Sequence, residues 1–296
     1  MEKISICPIC DSDQLAIDSE ITDHFLSGEK FRLTKCNNCG FLFTNPRPKK
    51  SQLGKYYQSE DYFSHSKKKK GLITFLYNSV KNYSLHNKFN LISRYKNSGS
   101  ILDIGCATGE FLNHFKKHGW ETKGIEPAEE PRNFAIENYN LVVKPEDDLK
   151  NVTDERYDVI SMWHVLEHVP DLNERMEQIS RLLKKDGLLV IALPNYLSWD
   201  GQHYQNYWAG YDVPRHLYHF SEKSIAKLLD KYNFSMFKKV PLKYDSFYVS
   251  LLSEKYKSGN LNYPKALFSG LKSNIKAKKH GNNFSSLIYI VKFQNS

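Results

Sequence analysis

Two Cys-x-x-Cys pairs, one glycine-rich turn and two histidine clusters carry the chemistry this sequence can do. Cys7-Pro-Ile-Cys10 and Cys36-Asn-Asn-Cys39 are separated by 25 residues. Each pair can form a knuckle that aims two thiolates at one ion, and Gly40 lets the backbone turn around the second. Four thiolates favour tetrahedral Zn²⁺, and a closed four-cysteine shell is structural rather than catalytic. Two disulfides are the alternative, which a reducing cytosol disfavours. A segment of this length has too small a core to fold without a staple, so metal binding would supply its stability.

The turn lies in Ile101-Leu-Asp-Ile-Gly-Cys-Ala-Thr-Gly-Glu-Phe-Leu112. Ile101, Leu102 and Ile104 suit a buried strand, Gly105, Ala107 and Gly109 a tight turn, and Phe111, Leu112 and Phe115 a helix ending near Gly119. Such a turn either lets a ligand approach a helix N-terminus or is a plain connection. A second strand, Thr122–Ile125, ends at Glu126, 21 residues after Gly105. An acid at that distance suits the hydroxyls of a ribose. A dinucleotide fingerprint would place a glycine at Leu112, and Glu110-Phe111 replaces the lysine of a nucleoside-triphosphate loop. Both of those ligands fit poorly.

At these residues the chain resembles the class I S-adenosylmethionine (SAM) methyltransferases. Their first motif is an acid, any residue, then Gly-x-Gly-x-Gly. Asp103, Gly105 and Gly109 match it, and Ala107 replaces the middle glycine by the next smallest residue. The likeness continues through Glu126, through Tyr157–Pro170 and through Leu182–Asn195, about two thirds of the chain. It implies that Asp103, Gly105, Cys106, Gly109, Glu126, Asp147, Trp163 and His164 bind the cofactor. Asp147 is the choice within the loop Pro145–Leu149, where the family places an acid against the adenine amino group. Cys106 reads as a small packing residue of the turn rather than a nucleophile, because no neighbour in sequence would activate it.

These residues need strands and helices to hold them. Strands are predicted near 100–105, 121–126, 141–144, 157–163 and 187–193, and helices near 109–118, 128–138, 171–185 and 221–231. Phe234–Val240 and Ser285–Phe293 add two strands. Alternation at this spacing implies an α/β fold: a Rossmann-like, mostly parallel, seven-stranded sheet with helices on both faces, preceded by a small zinc ribbon. Gly105, Glu126 and His164 would gather beyond the carboxyl ends of the strands. The expected domains are a ribbon at 1–45, a linker and helical cap at 46–98 and a methyltransferase domain at 99–296, with insertions near 195–220 and 242–282. In the ribbon, Phe25, Phe31–Leu33 and Phe41–Phe43 read as strands. The segment Leu53–Phe63 is dense in tyrosine and suits either packing or the wall of a substrate pocket. Apolar residues from Gly71 to Tyr95, including Phe75, Val80 and Phe89, suggest two helices.

Methyl transfer from SAM requires aligned nucleophile, methyl and sulfur, and a base where the nucleophile carries a proton. Histidine suits that task near neutral pH. His164-Val-Leu-Glu167-His168 has the residue order of one class of zinc peptidases, but Pro170 cuts the segment short and the frame is that of a methyltransferase. His216-Leu-Tyr-His219-Phe-Ser221 is similar to a segment of the zinc-ribbon sugar C-methyltransferases whose histidine is the base. That resemblance implies catalytic roles for His216 and His168. Val213 and Arg215 depart from the family's Tyr and Glu. Arg215 would therefore favour an anionic substrate or lower the histidine pKa.

The net charge of +9 and 25% charged residues are those of a globular chain. Its lysines are scattered, apart from Lys67–Lys70, which suits a solvated linker. No apolar run is long enough for a membrane span and the N-terminus lacks a signal-like segment, so a cytoplasmic location is expected. The expected partner is a small-molecule acceptor methylated on O or C, with nucleic acid disfavoured and oligomeric state open. An RNA base methyltransferase gripping RNA through ribbon and charge is the alternative, and a non-catalytic SAM-binding scaffold a third reading. Tyr244, Phe247, Tyr248, Leu251 and Leu252 are spaced as an amphipathic helix. With Lys272, Lys276, Lys278 and Lys279 they could cover a substrate, pack on the core or rest on a membrane surface.

Overall fold

A computed structural model describes residues 1–57, 72–152 and 156–294. Tyr62, Phe63, Lys67–Lys70 and Gly71 of the sequence analysis lie outside the described residues, as do the side chains of Phe75 and Val80. The elements in chain order are β1 (Leu15–Thr22), β2 (Lys30–Cys36), β3 (Leu42–Thr44), α1 (Lys50–Leu53), α2 (Leu72–Ser93), β4 (Ser100–Ile104), α3 (Glu110–Lys117), β5 (Glu121–Ile125), α4 (Glu129–Tyr139), β6 (Val142–Lys144), β7 (Tyr157–Trp163), α5 (Leu172–Leu182), β8 (Leu183–Pro194), α6 (Trp199–Tyr204), β9 (Tyr218–His219), α7 (Glu222–Lys231), β10 (Phe234–Pro241), α8 (Asp245–Ser258), α9 (Tyr263–Lys279) and β11 (Ser286–Phe293).

The large sheet has the order β10-β11-β8-β7-β4-β5-β6. β4 pairs in parallel with β5 and β7, and β5 with β6, while β10 and β11 are antiparallel. This is the mostly parallel α/β sheet that the alternation of elements implied. The chain forms two compact units, and β8 contributes to both.

One unit comprises Glu60–Trp163 and Met176–Val190, with the C-terminal pair of residues. Its core is the apolar run of β4 with Leu112 and Phe115 of α3 and Val159, Ile160 and Met162 of β7, all buried. Continuous apolar runs of this kind are expected for parallel strands covered on both faces. Where the sequence suggested two helices, α2 is one helix of 22 residues. Nothing interrupts it, since Leu72–Ser93 contains neither glycine nor proline.

The other unit comprises Met1–Ser59, His164–Arg175 and Ile191–Gln294. Here β1, β2 and β3 form an antiparallel ribbon, and β9 adds a fourth strand through Leu42↔His219 and Phe43↔Tyr218. The ribbon's inner face joins Ile21, Phe31, Leu33 and Leu42 to Tyr204, Trp208, Tyr211 and Val213 in one buried cluster. Phe25, predicted as strand, lies instead in a turn that follows β1. The Asp23 carboxylate accepts hydrogen bonds from the backbone N–H groups of Phe25, Leu26 and Ser27 at 3.0–3.2 Å. An aspartate capping its own downstream amides stabilises a turn against a strand.

Candidate active site

The glycine turn lies in the first of these units. Gly105, Ala107 and Gly109 have φ of 76°, 47° and 77°. The departure from a glycine pattern thus falls on a left-handed position, where an alanine costs about 1–2 kcal/mol. Gly109 also has no room for a side chain: a Cβ there would lie 2.7 Å from Leu141 and 2.8 Å from Ala135. The turn is held by its own amides. Gly105 and Cys106 N–H donate to the Ile125 carbonyl at 2.7 and 3.1 Å, and Gly109 N–H to Cys106 O at 2.9 Å. Glu126, at the end of β5, accepts from Ala107 N–H and Ala128 N–H, both at 2.9 Å. Each carboxylate oxygen keeps a second lone pair for a ligand hydroxyl. Burial raises the Glu126 pKa despite these bonds.

Asp103 is buried beneath the turn and accepts the Ser161 hydroxyl at 2.6 Å, and burial pushes its pKa up to about 7. Cys106 is buried too, and burial pushes its thiol up, which keeps it protonated. Its Sγ fills the space that a Cβ on Gly124 would need. Trp163 packs against Phe111 at 5.4 Å between ring centroids, with the Lys88 ammonium 4.1 Å over its ring. The Trp163 indole N–H is buried without a hydrogen-bond partner. Asp147 follows β6 and is exposed, whereas Asp148 is half-buried. An acid at the strand end, a turn without side-chain bulk and an unmatched indole donor form a cradle that suits SAM.

The histidines gather in the other unit. His164 has φ 57° at the end of β7, and its Nε2 lies 3.0 Å from Asp245 while Nδ1 lies 3.4 Å from Glu167. Burial opposes a charge there, but the Asp245 and Glu167 carboxylates prevail and lift its pKa to about 10. His164 is therefore an imidazolium at neutral pH. Residues Leu166–His168 form a short 3-10 turn that directs Glu167 and His168 elsewhere. His168 and His216 meet edge to face, with centroids 4.5 Å apart. Ligand atoms of Glu167, His168 and His216 all lie within 4.8 Å of one another.

Hydrogen bonding sets the tautomers of this pair. His216 Nδ1 is 2.9 Å from the Gly210 carbonyl and His168 Nδ1 is 3.0 Å from the Arg215 carbonyl. A carbonyl can only accept, so both Nδ1 atoms carry a proton, and in the neutral form of each ring the lone pair is on Nε2. The Tyr57 hydroxyl lies 3.0 Å from His168 Nδ1, so one tyrosine of the aromatic segment reaches the cluster. Tyr56 is buried packing and donates to Glu29 at 2.9 Å. Burial and the neighbouring His216 push His168 down to about 4, so it is neutral at pH 7.

Arg215 does not serve an anionic substrate. It is 1% exposed, and its NH2 donates to Asp23 at 2.9 Å and to Asp212 at 2.7 Å. Its Nε also donates to Asp212, at 3.0 Å, and NH1 to the Tyr56 carbonyl, at 3.0 Å. The carboxylate that the sequence lacked at position 215 arrives from Asp212, whose Oδ2 is 4.0 Å from His216 Nε2. Sequence reasoning missed Asp212. Its signal was the spacing of four to His216, which a single turn (His216 N–H to Asp212 O, 3.0 Å) makes local.

The ribbon is what places this loop. Thr44 N–H donates to Leu217 O at 2.9 Å and its hydroxyl to His216 O at 2.8 Å. The Arg47 guanidinium donates to the Tyr218 hydroxyl at 2.9 Å and to Pro170 O at 2.8 Å. Leu217 N–H donates to Glu167 O at 2.8 Å, joining the two histidine segments. At the ribbon's other end Cys7, Cys10, Cys36 and Cys39 converge, with Sγ atoms within 4.8 Å of one another and 3.6 Å across Cys7–Cys39 and Cys10–Cys36. Thiolates of a tetrahedral Zn²⁺ with ~2.3 Å bonds stand ~3.8 Å apart, so the four fit that ion. The knuckles repeat one geometry. Asp11 N–H bonds Cys7 O as Gly40 N–H bonds Cys36 O, and Asp11 and Gly40 have φ of 57° and 75°.

Residues 78–239 match the family described as methyltransferase domain. The ubiquinone biosynthesis O-methyltransferase of Rhodopseudomonas palustris (strain TIE-1) is 29% identical over 105 residues, 32% of this chain and 40% of that protein. The protein of the same name from Glaesserella parasuis serovar 5 (strain SH0165) is 35% identical over 106 residues, 32% of this chain and 45% of that protein. The chain thus spans less than half the length of these curated relatives. Among solved structures, a Galdieria sulphuraria protein assigned as a sarcosine dimethylglycine methyltransferase aligns with a TM-score of 0.50 at 15% identity, over 72% of this chain and 86% of that one. That likeness concerns the fold.

Proposed function

The chain belongs to the methyltransferase-domain family, and on that premise we propose that it is a SAM-dependent enzyme that methylates an oxygen or carbon of a small-molecule acceptor. SAM, when bound, supplies an electrophilic methyl on a sulfonium that leaves as a neutral thioether. Asp103, Glu126 and Trp163 would hold it, with the Gly105–Gly109 turn, and the four cysteines would hold a structural Zn²⁺.

The acceptor's proton is the task of the histidine cluster. The observation that carries this is the commitment of His216 Nδ1–H to the Gly210 carbonyl, which leaves Nε2 as a basic lone pair. The acceptor O–H or acidic C–H gives its proton to that nitrogen as the new bond to carbon forms. Asp212, fixed by Arg215, stands where it stabilises the resulting imidazolium. His168, neutral and with its own Nε2 lone pair, orients the acceptor by accepting a hydrogen bond.

An acceptor screen that follows S-adenosylhomocysteine release, across phenolic, sugar and lipid-precursor hydroxyls and an RNA control, tests the class. On the acceptor found, His216→Asn is expected to lower turnover ~10²–10⁴-fold with SAM affinity unchanged. Full turnover by that variant would remove the base.

A second reading has an observation of its own. Both Glu167 carboxylate oxygens are buried and make no hydrogen bond of good geometry among the described residues, the His164 Nδ1 at 3.4 Å being a long ion-pair contact. Two imidazole nitrogens and a carboxylate suit a divalent cation with open positions. Mn²⁺ titration of zinc-loaded protein, read by electron paramagnetic resonance, distinguishes the two. One bound Mn²⁺ lost on Glu167→Gln would favour the cation, and no binding would leave the base.

A further inference from the structure

Helices α8 and α9 form a hairpin with its residue sizes reversed. The buried residues of α8 include Ser246, Ser250 and Ser253, and those of α9 are Ala266, Ser269, Gly270, Ser273 and Ala277. Small residues let the helices approach closely, and a Cβ on Gly270 would lie 2.6 Å from the Phe247 ring. Part of the buried polar set is paired: Ser273 donates to Asp200 at 2.6 Å, and Tyr204 donates to Glu254 at 3.0 Å, while the Ser250 hydroxyl has no hydrogen-bond partner among the described residues.

The large apolar residues of α9 point the other way. Leu267, Phe268, Leu271 and Ile275 are 62%, 65%, 51% and 49% exposed. At ~100° per residue these four fall within an arc of ~100°, on the side opposite the small residues. Lys272, Lys276 and Lys279 lie along one border of that arc, and Lys278 closes it at the C-terminal end. The helix has five lysines and no acidic residue. A soluble surface has no use for four large apolar side chains on one stripe. A second copy laid on this stripe would set lysines against lysines with no acid on the helix to answer them. A basic amphipathic helix with its apolar arc outward has the build of one that lies in the headgroup layer of an anionic bilayer.

We propose that α9 docks the protein on an anionic phospholipid surface, with Leu267, Phe268, Leu271 and Ile275 inserted between headgroups and the lysines paired with phosphates. The chain would lie on the membrane rather than cross it, since among the described residues no helix is long and apolar enough to span.

Flotation of zinc-loaded protein with vesicles tests this, independently of any acceptor. Vesicles of phosphatidylcholine with about a third phosphatidylglycerol should carry the protein, and pure phosphatidylcholine should not. Leu267→Ser with Leu271→Ser, and separately Lys272→Glu with Lys276→Glu, should each weaken partitioning about tenfold or more. Salt at 0.5 M should release the protein. These residues are exposed, so unchanged melting and SAM affinity should accompany the loss. Two results would overturn the proposal: no enrichment on anionic vesicles, or a concentration-dependent dimer that the Leu267/Leu271 variant abolishes.

Discussion

The glycine turn and the histidine cluster are built on opposite principles. The turn is one segment of chain: nine residues separate Ile101 from Gly109 inclusive, and one distant acid, Glu126, completes it. The histidine cluster is assembled from four segments that carry Asp23, Thr44 to Tyr57, His164 to His168 and Gly210 to His219. A turn of this kind needs little beyond its local dihedrals and one neighbouring strand end, Ile125 and Glu126. A cluster drawn from distant segments depends on every strand and ion pair that brings them together, and here those run through a small ribbon closed by the four-cysteine cluster.

That contrast can be broken from the ribbon side. Cys36→Ser, or stripping the proposed zinc with a strong chelator, removes a binding free energy that for structural zinc sites is ~10–16 kcal/mol at neutral pH. Turnover should fall below detection and near-ultraviolet circular dichroism should lose the ribbon's aromatic signal, while SAM affinity measured by calorimetry changes by only a few-fold. Equal loss of both would mean that the two regions do not differ as described.

A single ion pair gives the next largest effect. Asp23 is 0% and Arg215 1% exposed, with 2.9 Å between them. Asp23→Ala leaves a buried guanidinium short of one partner and removes the cap of the turn after β1. A cost of about 3–5 kcal/mol is expected in urea melts, with a corresponding loss of turnover as the His216 loop slackens.

The pH dependence of stability sharpens the comparison further. His168 is held at about 4 in the folded chain, below its unfolded value near 6.5. Its burial as the neutral form therefore costs nothing above pH ~6.5, and stability is lost as pH falls from there through about 4, by something on the order of 3 kcal/mol. His168→Gln should flatten that acid limb in melts run between pH 7 and 4. His164 runs the other way. Its folded pKa, about 10, lies above the unfolded value, so its contribution is complete below pH ~6.5 and is lost as pH rises through about 10.

The smallest effect belongs to the turn. Ala107 occupies φ 47° with no tertiary need for its methyl, being exposed. Ala107→Gly should relieve about 1 kcal/mol of strain, offset in part by the entropy of an added glycine, and appear as a melting temperature raised by a few degrees. SAM affinity should hold or improve.

Strands β4, β7, β8 and β11 of the large sheet were legible in the sequence because each carries an apolar run, whereas β5 (Glu121-Thr-Lys-Gly-Ile125) was legible from its place ahead of Glu126 rather than from its own residues. The helices between them were legible from their 3.6-residue periodicity. The four cysteines were legible because two knuckles at that separation have few other uses. Phe25 misled, since aromatic residues favour strands but the Asp23 carboxylate two positions earlier captured the local amides. The single helix α2 was read as two because loosely periodic apolar residues carry little information about continuity. Strand β9 was invisible, being two residues long and formed only by pairing with β3.

The sequence by itself determined the family, the turn with Asp103 and Glu126, the cysteine set and the succession of strands and helices, because each is encoded within a few residues or by a strict period. Only the tertiary structure decided what Arg215 does, which carboxylate stands beside His216, which ring nitrogens carry protons and that the ribbon holds the histidine loop. Those depend on burial and on partners up to 192 positions away in the chain, as for Arg215 and Asp23. No local pattern encodes a partner at that distance; it is selected when folding removes water and leaves each buried charge to find its counterpart.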